Sequence, residues 1–389
     1  MGALVLANVR SPCTVALAAL MSTYARALRA QDSITAKKQQ HLKKRVQWIG
    51  CPGIHVEEDD QPALTSALQE FGCVPIFLDA ELEQSFYFGF CRSFLWPTFH
   101  NVLKPRCFHQ KVWRAYCTAN RKFADKVIEV YDSGDLVWVH DYHLLLLPSY
   151  ILRKLRTARV GLFLHTPFPS SEIFRTIPVR DELLRGMLNA DLIGFHIFEY
   201  ARHFLTCCKR MLGLEMDFYP GGLLGVRDHK RESLLQVSHV GIEPCVLQEA
   251  QLAGERECIG WAPTLHLVRL RSEGKAVMLG IDEMERLKGL PLKLLAYEQL
   301  LHTRRELEQR VALVQVVVRA RNYTPAAEGD YEDVRGEVLE IVQRIATAFP
   351  GAIDFVELPT ISLAQRMQAC SRPRILSASA PAHSKGWPP

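Results

Sequence analysis

His140, Asp141, Tyr142 and His143 stand together in VWVHDYHLLLLPSYIL (137–152), directly after an apolar run. Two further histidines close comparable runs: His165 in RVGLFLHTPFPSSEIF and His196 in DLIGFH. Ligands of open α/β sheets bind beyond the carboxyl ends of the strands. Three strands that each end in histidine therefore predict a polar crevice. Metal binding is one chemistry open to His140, Asp141, His143, His165 and His196. Successive strand residues point to opposite faces, however, so His140 and Asp141 do not readily share one ion. The sequence also has no H-E-x-x-H pair, and the reading is a site without metal. His143 and His196 read as hydrogen-bonded core or loop residues.

A second candidate lies downstream. The run AVMLGID (276–282) leads into EMERLKGL, and a helix is expected from Pro291, since proline suits a first helical turn. Lys288 and Gly289 then fall near a helix N-terminus. Free amides, the helix dipole and an ammonium group make an anion site there. Asp282, Glu283 and Glu285 oppose it electrostatically.

The elements that must position these residues are legible as alternating patterns. Apolar runs at 46–50, 135–140, 159–165, 191–196, 276–282, 311–318 and 353–358 are rich in Val, Leu, Ile and Phe and do not alternate. Strands buried on both faces of a parallel sheet read this way. Helical patterns separate them at 149–156, 180–189, 199–214, 291–305 and 331–349. The alternation predicts an α/β fold with doubly wound sheets. It breaks at about 215–272, where glycines and charges cluster. The expected organisation is a basic segment over 1–45 of targeting or disordered character, a first domain over 46–265, a second over 266–370 and a disordered tail over 371–389.

Composition narrows the class. The chain has 389 residues, 48% hydrophobic and 23% charged, with a net charge of +5. Residues 1–45 alone carry +7, so the remainder carries −2 and does not read as a nucleic-acid surface. No apolar run approaches the ~20 residues that cross a bilayer. Eleven cysteines in no repeated spacing read as reduced thiols of an intracellular, cytoplasmic protein. The acid-poor, Arg-containing first 30 residues are equally compatible with organelle targeting.

Several segments resemble the trehalose-6-phosphate synthase family (family 20 glycosyltransferases). They are FYFGFCRSFLWPTFH (86–100), VWVHDYHLLLLPSYILRK, GLFLHTPFPSSEIFRTIPVRDELLRGMLNADLIGFH, YARHFLTCCKRMLGLE, GIDEMERLKGLPLKLLAYEQLL and VQVVVRAR. The resemblance covers roughly residues 46–370 and is strongest to the plant and algal second class. It implies two Rossmann-like domains of the GT-B type, the second incomplete here. It also implies a retaining transfer of glucose from UDP-glucose to glucose 6-phosphate, in trehalose biosynthesis, without cofactor or metal. By the same resemblance Asp141 contacts the acceptor, and a carboxylate suits sugar hydroxyls because it accepts charge-assisted hydrogen bonds. Tyr87, Trp96 and Arg321 match other acceptor positions; His165 and Lys288 match donor positions. Asp141 and His165 are the residues marked as catalytic. Partners are the two small-molecule substrates, with neither nucleic acid nor membrane, and the family resemblance admits homo- or hetero-oligomers.

Three departures shape the expectation. Active members pair the lysine with an arginine five residues earlier, where this sequence has Glu283. ANVRSPCTVALAALMS lacks the family's glycine-rich loop, and Arg10 is no secure substitute for its arginine. SRPRILSASAPAHSKGWPP stands where the family continues towards D-G-M-N-L, so the sequence reads as one cut short. The expected function is a synthase-like glycosyltransferase, weak or inactive as this chain. A non-catalytic sugar-phosphate-binding regulator is the alternative.

Overall fold

The computed structural model describes residues 4–10, 46–53, 55–102, 108–219, 223–229, 231–239, 244–257, 273–319 and 328–370, with isolated positions around 241 and 263–270. It divides into two compact units, 1–241 and 242–389. The division falls ahead of the expected boundary at 265.

The first unit is built on a nine-stranded sheet ordered β3-β2-β1-β4-β5-β6-β9-β8-β7. The strands are β1 Leu4–Arg10, β2 Val46–Cys51, β3 Cys73–Pro75, β4 Leu136–His140, β5 Arg159–Leu164, β6 Leu192–Phe195, β7 Met216–Tyr219, β8 Leu223–Asp228 and β9 Arg231–Val237. Residues 4–10, placed by the sequence reading in a basic leading segment, instead form a strand paired in parallel with both β2 and β4. The rest of that segment lies outside the described residues. The glycine- and charge-rich stretch after residue 215 also carries strands. β7 and β8 pair antiparallel, β8 and β9 likewise, and β9 joins the parallel part beside β6.

Helices α1 (Gln61–Gln69), α2 (Gln110–Val130), α3 (Leu147–Lys154), α4 (Arg180–Met187) and α5 (Phe198–Leu212) complete this unit. α2 shows why it packs. Trp113, Tyr116, Asn120, Phe123 and Val127 recur at helical spacing and all are buried, against a charged opposite face. Each such apolar side chain contributes about 1.5–3 kcal/mol by leaving water. Phe86, Phe90, Phe99, Phe168, Phe174, Phe195 and Phe204 fill the same core.

Burial along β4 alternates, with Val137 and Val139 inside and Leu136 and Trp138 at 37% and 40% exposed. Both faces were expected to be covered. Among the described residues only one face is, because the connection from β1 to β2 (11–45) lies outside them.

The second unit has a three-stranded parallel sheet, β10 (Ala276–Glu283), β11 (Val311–Val318) and β12 (Ile353–Leu358), with β11 central. Here burial on both faces holds. Leu313 and Val317 join one core with α7 (Leu290–Thr303) and α8 (Glu328–Ala348). Ala312, Val314, Val316 and Val318 join the other, on the side of Leu267, Leu270 and Ile361. Helices α6 (Pro244–Glu257) and α9 (Leu363–Cys370) pack together. Among the described residues no helix is long and apolar enough to cross a membrane.

Candidate active site

Asp141 is the residue around which the first unit's site is built. It follows β4 at φ 67° and ψ 177°, a region that side-chain-bearing residues seldom occupy. Such a backbone costs on the order of 1–3 kcal/mol and survives only where its surroundings over-determine it. They do so here. The Asp141 amide donates to Phe163 O at 2.7 Å, extending the β4–β5 ladder. Its Oδ1 accepts from the backbone amides of His165 (3.2 Å) and Thr166 (3.3 Å). From below, the Tyr116 hydroxyl on α2 donates to Tyr142 O (2.9 Å) and accepts from the Leu145 amide (3.0 Å). The turn after the strand is thus tied on both sides. Burial raises the Asp141 pKa to about 6, even though the amides of Tyr142, His165 and Thr166 favour its charged form.

Aromatic rings wall this carboxylate. Tyr87 stacks on His143 with centroids 5.5 Å apart and planes at 8°. His143 Nδ1 lies 3.9 Å from Asp141 Oδ2. The Trp96 ring lies 5.9 Å from that of Tyr142. The buried Trp96 indole N–H has no acceptor among the described residues, and it is a donor a polar ligand could use. Tyr87 and the chain up to Trp96 belong to an unusually wide helix, Gln84–Leu95, that closes i→i+5. The Trp96 amide bonds to Cys91 O, and Ser93 Oγ donates to Phe88 O at 2.7 Å. Wide turns of this kind are frequent at functional sites. Arg92, on the same helix, lies 5.0 Å from the Trp96 ring centre. Nothing in the sequence pattern announced that winding.

His165 follows β5, and the β4–β5–β6 register brings it beside His140 and His196. Its ring centroid is 5.3 Å from that of His140 and 5.6 Å from that of His196. Burial and the neighbouring His196 lower its pKa. The structure therefore gathers Asp141, Tyr87, Trp96 and His165 at the carboxyl end of one sheet. Among the described residues no group of three or more His, Cys, Asp or Glu is arranged to hold a metal ion.

Lys288 belongs to the second unit. Gly289, at φ 70°, turns the chain into α7, with Pro291 in its first turn. Glycine takes this left-handed conformation at little cost. Lys288 is exposed at that helix N-terminus. Its neighbours are engaged elsewhere: Arg286 pairs with Glu337 (2.9 Å), and Lys293 pairs with Asp282. Gln315, fully buried in β11, donates to the same Asp282 oxygen (2.8 Å). Gly280 leaves room for this cluster, since a Cβ there would fall 2.2 Å from Gln315 Oε1 and 2.6 Å from Lys293 Nζ. The sequence reading missed the cluster. Arg321 lies outside the described residues.

A family model, Glycosyltransferase family 20, matches residues 5–369. The chain belongs to glycosyltransferase family 20. It is 41% identical over 342 residues to the Arabidopsis thaliana probable alpha,alpha-trehalose-phosphate synthase [UDP-forming] 7, covering 85% of this chain and 39% of that protein. It is 42% identical over 329 residues to the alpha,alpha-trehalose-phosphate synthase [UDP-forming] 5 of the same plant, covering 82% and 37%. The chain thus spans well under half the length of these relatives. In fold it is similar to a Burkholderia xenovorans alpha,alpha-trehalose-phosphate synthase solved with glucose-6-phosphate (TM-score 0.73, 22% identity, 93% of this chain and 76% of that one). It is likewise similar to the N-terminal domain of Candida albicans trehalose-6-phosphate phosphatase (TM-score 0.75, 24% identity, 95% and 75%). The expected architecture of Rossmann-like units in a GT-B-type family-20 protein holds.

Proposed function

We propose that this chain is a trehalose-6-phosphate synthase-like protein of trehalose biosynthesis. Its first unit binds glucose 6-phosphate through Asp141, and its transfer of glucose from UDP-glucose is weak or absent. The observation that carries the reading is Asp141 itself, a carboxylate held in a strained backbone among Tyr87, Tyr142, His143 and Trp96. A geometry that costly points to a ligand contact rather than to packing. Its charged form accepts strong hydrogen bonds from sugar hydroxyls. Trp96 and Tyr87 supply flanking rings, and Arg321 acts on the acceptor phosphate. His165 faces the donor glucose, and Lys288 at its helix N-terminus acts on the donor diphosphate. The transfer retains configuration and uses no metal, so charge developing on the leaving diphosphate falls to Lys288 and the α7 amides. The eight described cysteines, none in a disulfide, fit a reducing compartment, and we place the protein in the cytoplasm.

Glu283 supports the weak-transfer part. It closes β10, five residues before Lys288, and sets an anion where the family chemistry places a cation. Losing one stabilising contact of this type costs about 10²–10³ in rate. Glu283 also favours a second reading, a regulatory protein that binds sugar phosphate without turning it over. Calorimetric titration with glucose 6-phosphate and trehalose 6-phosphate, beside an assay with both substrates, separates the two. Binding that Asp141→Ala weakens at least tenfold is expected, a loss on the order of one charge-assisted hydrogen bond. Unchanged affinity in that variant would remove Asp141 from the site. Steady production of trehalose 6-phosphate by the purified chain would overturn the weak-transfer reading.

A further inference from the structure

His140, His165 and His196 stand in a row at the ends of three adjacent parallel strands. Two of them are bonded. His140 Nδ1 lies 3.0 Å from His165 Nε2, with ring planes 20° apart. Asp141 does not orient the His165 ring, because its Oδ1 is taken up by the backbone amides of His165 and Thr166.

A neutral imidazole carries one N–H and one lone pair. Two ring nitrogens bonded at this distance share a single proton, so the tautomer of one ring dictates that of the other. Building on the reading that His165 faces the donor sugar, we propose that His140 is the positioning residue of His165. Its Nδ1–H donates to His165 Nε2, which leaves His165 with Nδ1–H as the donor offered to a bound hydroxyl.

The surroundings assign this direction. The donating ring carries the more positive character of a hydrogen-bonded pair. His165 has a second histidine, His196, on its other side, and His196 in turn feels His239. Positive character is least favourable on the ring flanked twice. The remaining neighbours are apolar: Trp138 on β4, 4.9 Å from the His140 ring, and Phe163 on β5, 4.8 Å from that of His165. The carboxylate of Asp141 is the charged group next to the pair, and its two amide bonds come from the His165 side. A proton added at low pH goes to His140 Nε2, which leaves the bond between the rings intact and His165 neutral.

The test is long-range ¹H–¹⁵N correlation on the full chain labelled at histidine, with His165 assigned by its loss in His165→Gln. At pH 7.5 His165 is expected as the Nδ1–H tautomer with a lone pair on Nε2. His140→Phe removes the donor and should release His165 to a mixture of tautomers. His140→Asn, whose amide nitrogen sits near the place of Nδ1, should restore the single form, which a merely space-filling role would not do. An unaltered His165 tautomer in His140→Phe, or an Nε2–H form in the wild type, overturns the proposal. UDP-glucose affinity provides the functional arm, with a loss of about three- to tenfold in His140→Phe and recovery in His140→Asn, the scale of one hydrogen bond. Equal affinity of all three proteins, with the tautomer change present, counts against the His140 role in donor binding. A wild-type chain that does not bind UDP-glucose counts instead against the donor-site reading, and the spectra still decide the pairing.

Discussion

Asp141→Asn should stabilise this protein at neutral pH while removing its acceptor binding. The pKa of Asp141 moves from 3.8 to about 6 on folding, chiefly through burial. At about 1.4 kcal/mol per unit, that shift is worth about 3 kcal/mol. The folded state holds the proton more tightly, so its advantage is complete below pH 3.8 and is lost as pH rises through about 6. At pH 7.5 the ionised side chain, only one-fifth exposed, works against the fold. Asparagine keeps an oxygen for the His165 and Thr166 amides, tolerates positive φ better than most residues, and carries no charge. The expected gain is about 2–3 kcal/mol at pH 7.5, shrinking to near zero at pH 4. Urea unfolding of wild type and variant at both pH values measures it. Fluorescence is the natural signal, since Trp48, Trp96, Trp113 and Trp138 all lie in the first unit. A variant no more stable at pH 7.5, or equally stabilised at both pH values, would refute the account of a desolvated carboxylate. The same titration predicts that glucose 6-phosphate binding to the wild type weakens as pH falls through about 6, because the protonated acid accepts fewer strong hydrogen bonds.

Tyr116→Phe strips a fully buried hydroxyl that bonds both Tyr142 O and the Leu145 amide. A loss of about 1–3 kcal/mol in urea unfolding is expected, with weaker glucose 6-phosphate binding; no change in either would show the turn to be held otherwise. Gly186→Ala places a Cβ 2.5 Å from Leu145 O, a backbone atom that cannot swing aside, so thermal melts should show about 1–3 kcal/mol of destabilisation. Gly336→Ala in α8 meets nothing within 4 Å and should stabilise by about 0.5–1 kcal/mol; the opposite order of these two melts would contradict the packing described. Glu283→Arg exchanges an anion for a cation beside the Lys288 turn and should tighten UDP binding by about tenfold, read by calorimetry; weaker binding would move the diphosphate elsewhere.

Much of this was readable in the chain, for physical reasons. β11 is VALVQVVV, and a run without alternation fits a strand with a core on each face, which is how Leu313 and Val314 are divided. The positions of Asp141 and His165 followed from strands that end in polar residues. The stretch after 215 misled because β7, β8 and β9 are short, exposed and antiparallel, so their apolar content is low and glycines punctuate them. β1 was hidden because LVLANVR carries polar residues and sits beside a strongly basic stretch. The wide helix Gln84–Leu95 could not be read, since FYFGFCRSFL is equally apolar wound four or five residues to the bond. Asp282, Lys293 and Gln315 are separated by 11 and 33 positions from Asp282, and only the sheet brings them together.

That wide helix makes chain length, rather than composition, a determinant of the site. Its i→i+5 bonds take up more residues than an ordinary helix needs to join the same two ends. Removing one residue between Tyr87 and Trp96 would let the segment relax towards i→i+4 winding, with Phe86, Phe90 and Leu95 still able to find apolar neighbours. The fold would survive better than the site, because each residue of an α-helix turns the next by about 100°. Trp96 would then swing away from Tyr142 while Tyr87 stayed on His143. A deletion that any composition-based comparison would score as minor is therefore enough to part the two rings beside Asp141, and an insertion of one residue at the same place is enough to bring them back.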